Sequence, residues 1–208
     1  MLEFKKVPKI EDVELVNIKA IIFDMDGTLL DSELLHAKAL SDLLGRDETS
    51  VKALLDEFVG VAEPDVFKSL VKKKTISEMS FEEFVEKKNH SFKAILENES
   101  LLKEIVNSEL LELISSFRQQ NYKIALVTAS EREVTDLFMN KLNLSYIFDI
   151  ILTRNDTEKS KPDPMPYLKS FEELGILPSE ALIFEDSPTG IESAISSGGS
   201  VCKANWYA

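Results

Sequence analysis

Cysteine occurs once in the 208 residues, at Cys202, and histidine twice, at His36 and His90. A lone thiol excludes an internal disulfide and suits a reducing cytosol, so a cytoplasmic location is expected. Without a Cys/His cluster a structural zinc site is excluded as well. Basic residues are scarce: 24 Lys and Arg stand against 37 Asp and Glu, for a net charge of −13. That balance argues against nucleic acid as the main partner, because phosphate backbones require a basic stripe. A small phosphorylated ligand stays open, since one metal ion and one lysine can reverse the field inside a cleft. Long apolar runs are missing, which excludes a membrane span. The opening stretch MLEFKKVPKIEDVELVN has neither the apolar core nor the small-residue cleavage site of a secretory signal. What is present, 44% apolar and 29% charged residues, is ordinary for a globular protein large enough for a core plus a smaller insert.

The most informative stretch is AIIFDMDGTLLDS, residues 20–32. Ala20-Ile21-Ile22-Phe23 reads as a strand buried on both faces. It sets Asp24 at the carboxyl end of a central strand, where open α/β sheets place ligands. Asp24 and Asp26 repel each other there unless a cation or a proton joins them. A plain strand-to-turn corner is the competing reading, since Asp and Gly are common turn residues. A calcium loop fails because Leu29 and Leu30 stand where further oxygen ligands are needed.

Around this strand the pattern alternates. Residues 1–17 read as an N-terminal extension. Residues 33–104 read as helices without a strand: one capped by Ser32, then helices over about 50–59, 64–72 and 80–96. The last opens with a Ser80-x-x-Glu83 capping box and has Phe81, Phe84 and Phe92 as core. Strands follow at 122–127, 148–152, 181–184 and 200–203. Helices lie between them, one entered through a second capping box, Ser130 with Glu133, and one stopped by Gly175. The expectation is a doubly wound parallel α/β sheet, residues 18–32 and 105–208, with an all-helical domain inserted at 33–104.

In such a sheet the strand ends share one edge. Asp24 and Asp26, then Thr128 with Ala129 and Ser130, then Lys161, then Glu185 and Asp186 are expected there. The set suits phosphoryl transfer. Asp24 and Asp186 would hold a divalent cation, and hard oxygen ligands favour Mg²⁺. One carboxylate can act as nucleophile and another as acid and base. Lys161 would supply charge to the phosphate oxygens and the nucleophile, and Thr128 a hydroxyl hydrogen bond. Main-chain N–H groups at turns and helix starts, at Gly27, Thr28, Ala129 and Ser130, can hold further oxygens. Ser130 also has a bland reading as a helix cap. Lys159 competes with Lys161, which the following Pro162 favours. His36 reads as a packing residue or as one overlooking the site.

The segments AIIFDMDGTLLDS, LVTAS, SKPDP and LIFEDSPTGIESA, in this order, resemble the four motifs of the haloacid-dehalogenase-like hydrolases. Their spacing is similar to the branch with a helical cap after the first motif, which includes β-phosphoglucomutase and small-metabolite phosphatases. The resemblance implies Asp24 as nucleophile and metal ligand, and Asp26 as general acid/base with its carbonyl on the metal. It implies Thr128 as phosphate-binding hydroxyl, Lys161 as the third-motif lysine and Asp186 as metal ligand. Glu185 becomes a direct or water-mediated ligand. The mutase has a cap arginine just after a Gly-Val pair; here Gly60-Val61 is followed by Ala62-Glu63, which favours hydrolysis over a bisphosphate route. Family members usually continue past the last strand, whereas this sequence closes with Asn205-Trp206-Tyr207-Ala208. The reading is an Mg²⁺-dependent phosphatase of a small phosphorylated metabolite, monomeric, with a cap that closes through hinges near 31–33 and 101–105. A sugar-phosphate mutase and a non-catalytic binding protein are the alternatives.

Overall fold

The computed structural model describes residues 1–47, 49–59, 61 and 63–207, the side chains of 99, 100 and 103 excepted. Its described residues form two compact units, Met1–Asp31 with Glu104–Ala208, and Ser32–Lys103. No helix among them is long and apolar enough to cross a membrane.

In the first unit, six strands among the described residues form one parallel sheet. They are β1 (Leu2–Phe4), β2 (Ala20–Phe23), β3 (Lys123–Val127), β4 (Ile150–Leu152), β5 (Ala181–Glu185) and β6 (Ser200–Ala204), in the order β1-β6-β5-β2-β3-β4. All four residues of β2 are buried, as a strand flanked on both sides and covered on both faces requires. Strand alternation divides its side chains. Ala20 and Ile22 join Ala125, Val127 and Ile183 beneath Tyr167, Phe171 and Leu174 of α8 (Met165–Leu174) and Ala194 of α9 (Pro188–Ser196). On the other face Phe23 stacks on Phe184 at 5.1 Å, and Phe184 lies 6.5 Å from Phe117 of α6 (Ser108–Gln119). Each such buried side chain contributes about 1.5–3 kcal/mol. Gly175, at φ +64°, takes the left-handed conformation that ends α8.

Register positions the chemistry. Phe23 pairs with both Leu126 and Phe184, so the next residues, Asp24, Val127 and Glu185, stand side by side at the carboxyl edge of the sheet. Two expectations need revision. Residues 1–17 are not only an extension: β1 lies within them and pairs in parallel with β6. Its Leu-Glu-Phe alternation covers only three residues and is barely buried, too short a pattern to mark a strand from sequence. The capping box expected from Ser130 and Glu133 does not form. Helix α7 (Arg132–Lys141) starts later, with Glu131 at its N-cap and no side-chain cap bond, because the Ser130 hydroxyl is drawn to Asp26.

The second unit is helical: α1 (Glu33–Leu43), α2 (Thr49–Phe58), α3 (Glu63–Lys72), α4 (Phe81–Ile95) and a short α5 (Glu99–Glu104) that periodicity does not announce. Ala37, Leu40, Val51, Leu54, Val66, Leu70 and Phe84 form its core. The Ser80–Glu83 capping box is present in both directions, at 3.1 and 2.9 Å. Ser32 stands at the N-cap of α1 but makes no cap bond, its backbone being helical rather than extended. His36 packs on Phe92, ring centroids 4.7 Å apart. Of the Gly60-Val61-Ala62-Glu63 stretch, Gly60 and Ala62 lie outside the described residues. Glu63 is ion-paired with Lys88.

Candidate active site

The carboxyl edge of β2, β3 and β5 carries a buried ionic cluster. Asp24 follows β2 directly, and its N–H donates to the Phe184 carbonyl at 3.0 Å, which ties it to β5. Lys161 comes from the loop before α8 and inserts its ammonium between two acids. Its Nζ donates to Asp24 Oδ1 at 2.5 Å, to Glu185 Oε1 at 2.5 Å and to the Val127 carbonyl at 2.9 Å. These are all three of its hydrogens. Asp24, Lys161 and Glu185 are 6, 8 and 0% exposed. Lys159, the competing lysine, instead pairs with Asp163 at the surface, 3.1 Å away.

Glu185 is held on all sides. Besides Lys161, its Oε1 accepts from the Tyr167 hydroxyl at 3.2 Å; its Oε2 accepts from the N–H and hydroxyl of Ser187, both at 3.0 Å. The Tyr167 ring lies under the Lys161 ammonium, 5.1 Å from ring centre to Nζ, a cation–π contact that suits a desolvated lysine. A methyl group on Gly190 would stand 1.7 Å from Glu185 Oε1, so α9 approaches this carboxylate only because that position lacks a side chain.

Asp24, Glu185 and Asp186 each offer an oxygen, and the three lie within 4.8 Å of one another. Burial, partly countered by Lys161 and reinforced by Glu185, Asp186 and Asp26, pushes the Asp24 carboxyl well above the usual range. Burial disfavours the Lys161 charge, but Asp24 and Glu185 outweigh it and hold the ammonium well above its usual range. The crowding of acids around one lysine is the chemistry of a hard-oxygen site for a divalent cation. The donor set fits such an ion.

Asp186 is steered by the turn after Asp24. The Thr28 hydroxyl donates to Asp186 Oδ1 at 2.9 Å, and Gly27, at φ +78°, leaves the space in which a Cβ would meet Asp186 Oδ2 at 2.3 Å. The N–H groups of Gly27 and Thr28, expected to hold phosphate oxygens, bond within the turn here. The Gly27 N–H donates to the Leu30 carbonyl at 2.8 Å and the Thr28 N–H to Met25 at 3.4 Å, closing the turn on itself.

Ser130 is engaged too. Its hydroxyl donates to Asp26 Oδ2 at 2.6 Å and its N–H to Thr128 Oγ1 at 3.0 Å. Thr128 Oγ thus accepts from the protein and keeps its own hydrogen to donate. Ala129, beside it, is exposed.

Sequence reasoning singled out the charged members and missed their supports. Tyr167 reads as one more apolar position of the α8 stripe, and Ser187 as a helix start. A phenol on an otherwise apolar stripe was the available signal, because a buried hydroxyl needs a partner.

A parallel α/β sheet with acids, a lysine and a hydroxyl at its carboxyl edge defines a phosphoryl-transfer class of site. Comparison with known proteins makes this specific. Residues 21–204 match the family described as haloacid dehalogenase-like hydrolase, and the chain belongs to that family. It is 32% identical over 184 residues to a phosphorylated carbohydrates phosphatase of Thermotoga maritima, covering 87% of this chain and 82% of that one. It is 27% identical over 195 residues to the pyrophosphatase PpaX of Bacillus cereus, covering 92% and 85%. Among solved structures it is similar to one from Thermotoga maritima described provisionally as a β-phosphoglucomutase, with a TM-score of 0.68, 26% identity and 88% and 84% coverage.

Proposed function

We propose that this chain is an Mg²⁺-dependent phosphatase that hydrolyses a small phosphorylated metabolite through an aspartyl-phosphate on Asp24. The observation that carries the reading is the Lys161 ammonium bridging Asp24 and Glu185 beside Asp186. It brings positive charge to a buried carboxylate whose pKa burial and neighbouring acids push up, beside two further acids that could face a divalent cation. Asp24 and Asp186 would hold the ion, with the Asp26 carbonyl as the resemblance implies. Glu185 belongs to the same acidic group, but both its oxygens are engaged by the protein, and we assign it to anchoring Lys161. When bound, the ion supplies positive charge to the phosphate and to the crowded acids.

An Asp24 oxygen attacks phosphorus as the bond to the leaving oxygen breaks. Asp26, oriented by Ser130, gives its proton to that oxygen. Asp26 then takes a proton from water as the water attacks the aspartyl-phosphate, which regenerates Asp24 and releases phosphate. Lys161, its three hydrogens already placed, serves the nucleophile rather than the substrate. The Thr128 hydroxyl donates to a phosphate oxygen.

The named relatives support phosphate-ester or anhydride hydrolysis, and a sugar-phosphate mutase is the second reading, supported by the structural similarity to the Thermotoga maritima protein. The pairing of Glu63 with Lys88 weighs against it, since an acid stands near the place of a phosphate-gripping arginine. A phosphate-release screen over phosphorylated sugars, other metabolites and pyrophosphate decides. We expect Mg²⁺-dependent release, abolished by chelation and lowered at least about 1,000-fold in Asp24→Asn. Phosphate retained on an isomerised product would establish the mutase. No turnover of any substrate, p-nitrophenyl phosphate included, would leave a binding protein.

A further inference from the structure

The turn that steers Asp186 is itself held from behind. Residues 25–30 close through the Met25 and Leu30 carbonyls, which accept the N–H groups of Leu29, Leu30 and Gly27 at 2.8–2.9 Å. The carbonyls of Thr28 and Leu29 remain, in residues with no exposed surface. Buried carbonyls require donors, and both come from side chains that follow β6. The Trp206 indole N–H donates to the Thr28 carbonyl at 2.9 Å, and the Tyr207 hydroxyl to the Leu29 carbonyl at 3.1 Å. Trp206 is seated by packing: its ring lies 5.9 Å from Phe184, which stacks on Phe23 of the nucleophile strand. The preceding residue is anchored to β1, the Asn205 N–H donating to the Phe4 carbonyl at 2.9 Å and its amide to Glu3 Oε1 at 3.0 Å.

We propose that Trp206 and Tyr207 are positioning residues of the active site: they fix the Thr28–Leu29 main chain so that the Thr28 hydroxyl holds Asp186 for its cation. The inference rests on the metal-dependent phosphatase reading, in which Asp186 is a ligand. Neither side chain touches substrate or ion; each acts through Thr28. Groups that orient a metal ligand typically change metal affinity about 10–100-fold when removed, and one step further out the expected effect is smaller.

The chain supplies its own reporter, because Trp206 is its only tryptophan. Mg²⁺ titrated into the full chain should change tryptophan emission saturably, in the concentration range that activates p-nitrophenyl phosphate hydrolysis. Thr28→Ser should keep that change, and Thr28→Val should lose most of it. By calorimetry, Trp206→Phe, which keeps a ring on Phe184, and Tyr207→Phe, which loses only a hydroxyl, should each bind Mg²⁺ about three- to tenfold more weakly than the wild type. The comparison is made below the melting transition of every variant, so a loss of stability alone does not shift the affinity. If the wild type binds Mg²⁺ and both phenylalanine variants match it, the positioning role is wrong and the functional reading stands. If the wild type neither binds Mg²⁺ nor hydrolyses any phosphate ester, both fall together.

Discussion

In the helical unit, Ser32–Lys103, the buried polar residues among those described are two serines, Ser32 and Ser41, and the core is aliphatic with Phe84 and Phe92. Its ion pairs run from exposed, as between Lys68 and Asp65, 2.8 Å apart and 74% and 61% exposed, to half-buried, as between Lys88 and Glu63. In the α/β unit an aspartate, a lysine and a glutamate are buried together at the carboxyl edge of the sheet. Apolar contacts give the helical unit its core. The α/β unit carries charges whose desolvation is offset by mutual pairing and by bonds with Val127, Tyr167 and Ser187, and replacing a buried ion pair by well-packed apolar residues is often neutral or stabilising. Retaining charges at such a cost is a mark of function.

The largest effect that sharpens this contrast is that of Asp24→Asn. Turnover should fall at least about 1,000-fold. Stability should barely move, because asparagine still accepts from Lys161, and a carboxyl that burial and three neighbouring acids push well up in pKa is removed. A melting temperature within about 2–4 °C of wild type is expected; a large drop would mean that the cluster is chiefly structural. Phe84→Ala tests the other unit. Phe84 is fully buried, 5.3 Å from the Phe67 ring, and its truncation should cost about 3–5 kcal/mol in urea unfolding. Mg²⁺ affinity should stay at the wild-type value, since nothing in the ionic cluster is altered.

The same contrast explains what the sequence disclosed. Strands β2 and β5 are short apolar runs that stop at acids, so their place and the charges at their ends were legible together. Parallel pairing then brought Asp24 beside Glu185 without further information. The four long helices of the second unit were legible from amphipathic period and one capping box. The turn 25–30 was not, because the inward use of the Gly27 and Thr28 N–H groups depends on φ angles that Asp-Gly-Thr does not dictate. Tyr167 and Trp206 were hidden for another reason. Their polar atoms meet partners far along the chain, Glu185 and the Thr28 carbonyl. Only the folded register creates those meetings. Likewise β1 is recruited by the edge of β6, against its own weak pattern.

Asp156 gives a smaller effect and asks whether charge in the α/β unit is always functional. It accepts from the N–H and hydroxyl of Thr153, at 2.6 and 2.7 Å, and pairs with Arg132. Burial raises its pKa, but the Thr153 bonds and Arg132 outweigh this and leave it below the usual value. A depressed acid stabilises the fold above its unfolded pKa, about 3.9, and the contribution is lost as pH falls through the folded value. Asp156→Asn should therefore cost about 1–2 kcal/mol at pH 7, and the gap to wild type should close below about pH 4. Turnover should be unaffected. The exposed pair in the helical unit should show no comparable gap in Asp65→Asn, within about 0.5 kcal/mol.

The smallest effect comes from two serines that do the same local work in the two units. Ser80 accepts the Glu83 N–H at 3.1 Å to cap α4, and Ser187 accepts the Gly190 N–H at 3.1 Å to cap α9. Replacement by alanine should cost about 1 kcal/mol in either case. Only Ser187 has a second task, donating its hydroxyl to Glu185 Oε2. Its loss frees one oxygen of the acid that anchors Lys161, so Ser187→Ala should also lower kcat, by about tenfold for a charge-assisted bond. Ser80→Ala should leave kcat unchanged. Matched stability losses with unmatched kcat would show that one capping motif is neutral or functional according to what lies behind it. An equal fall in kcat for both would erase the distinction drawn between the two units.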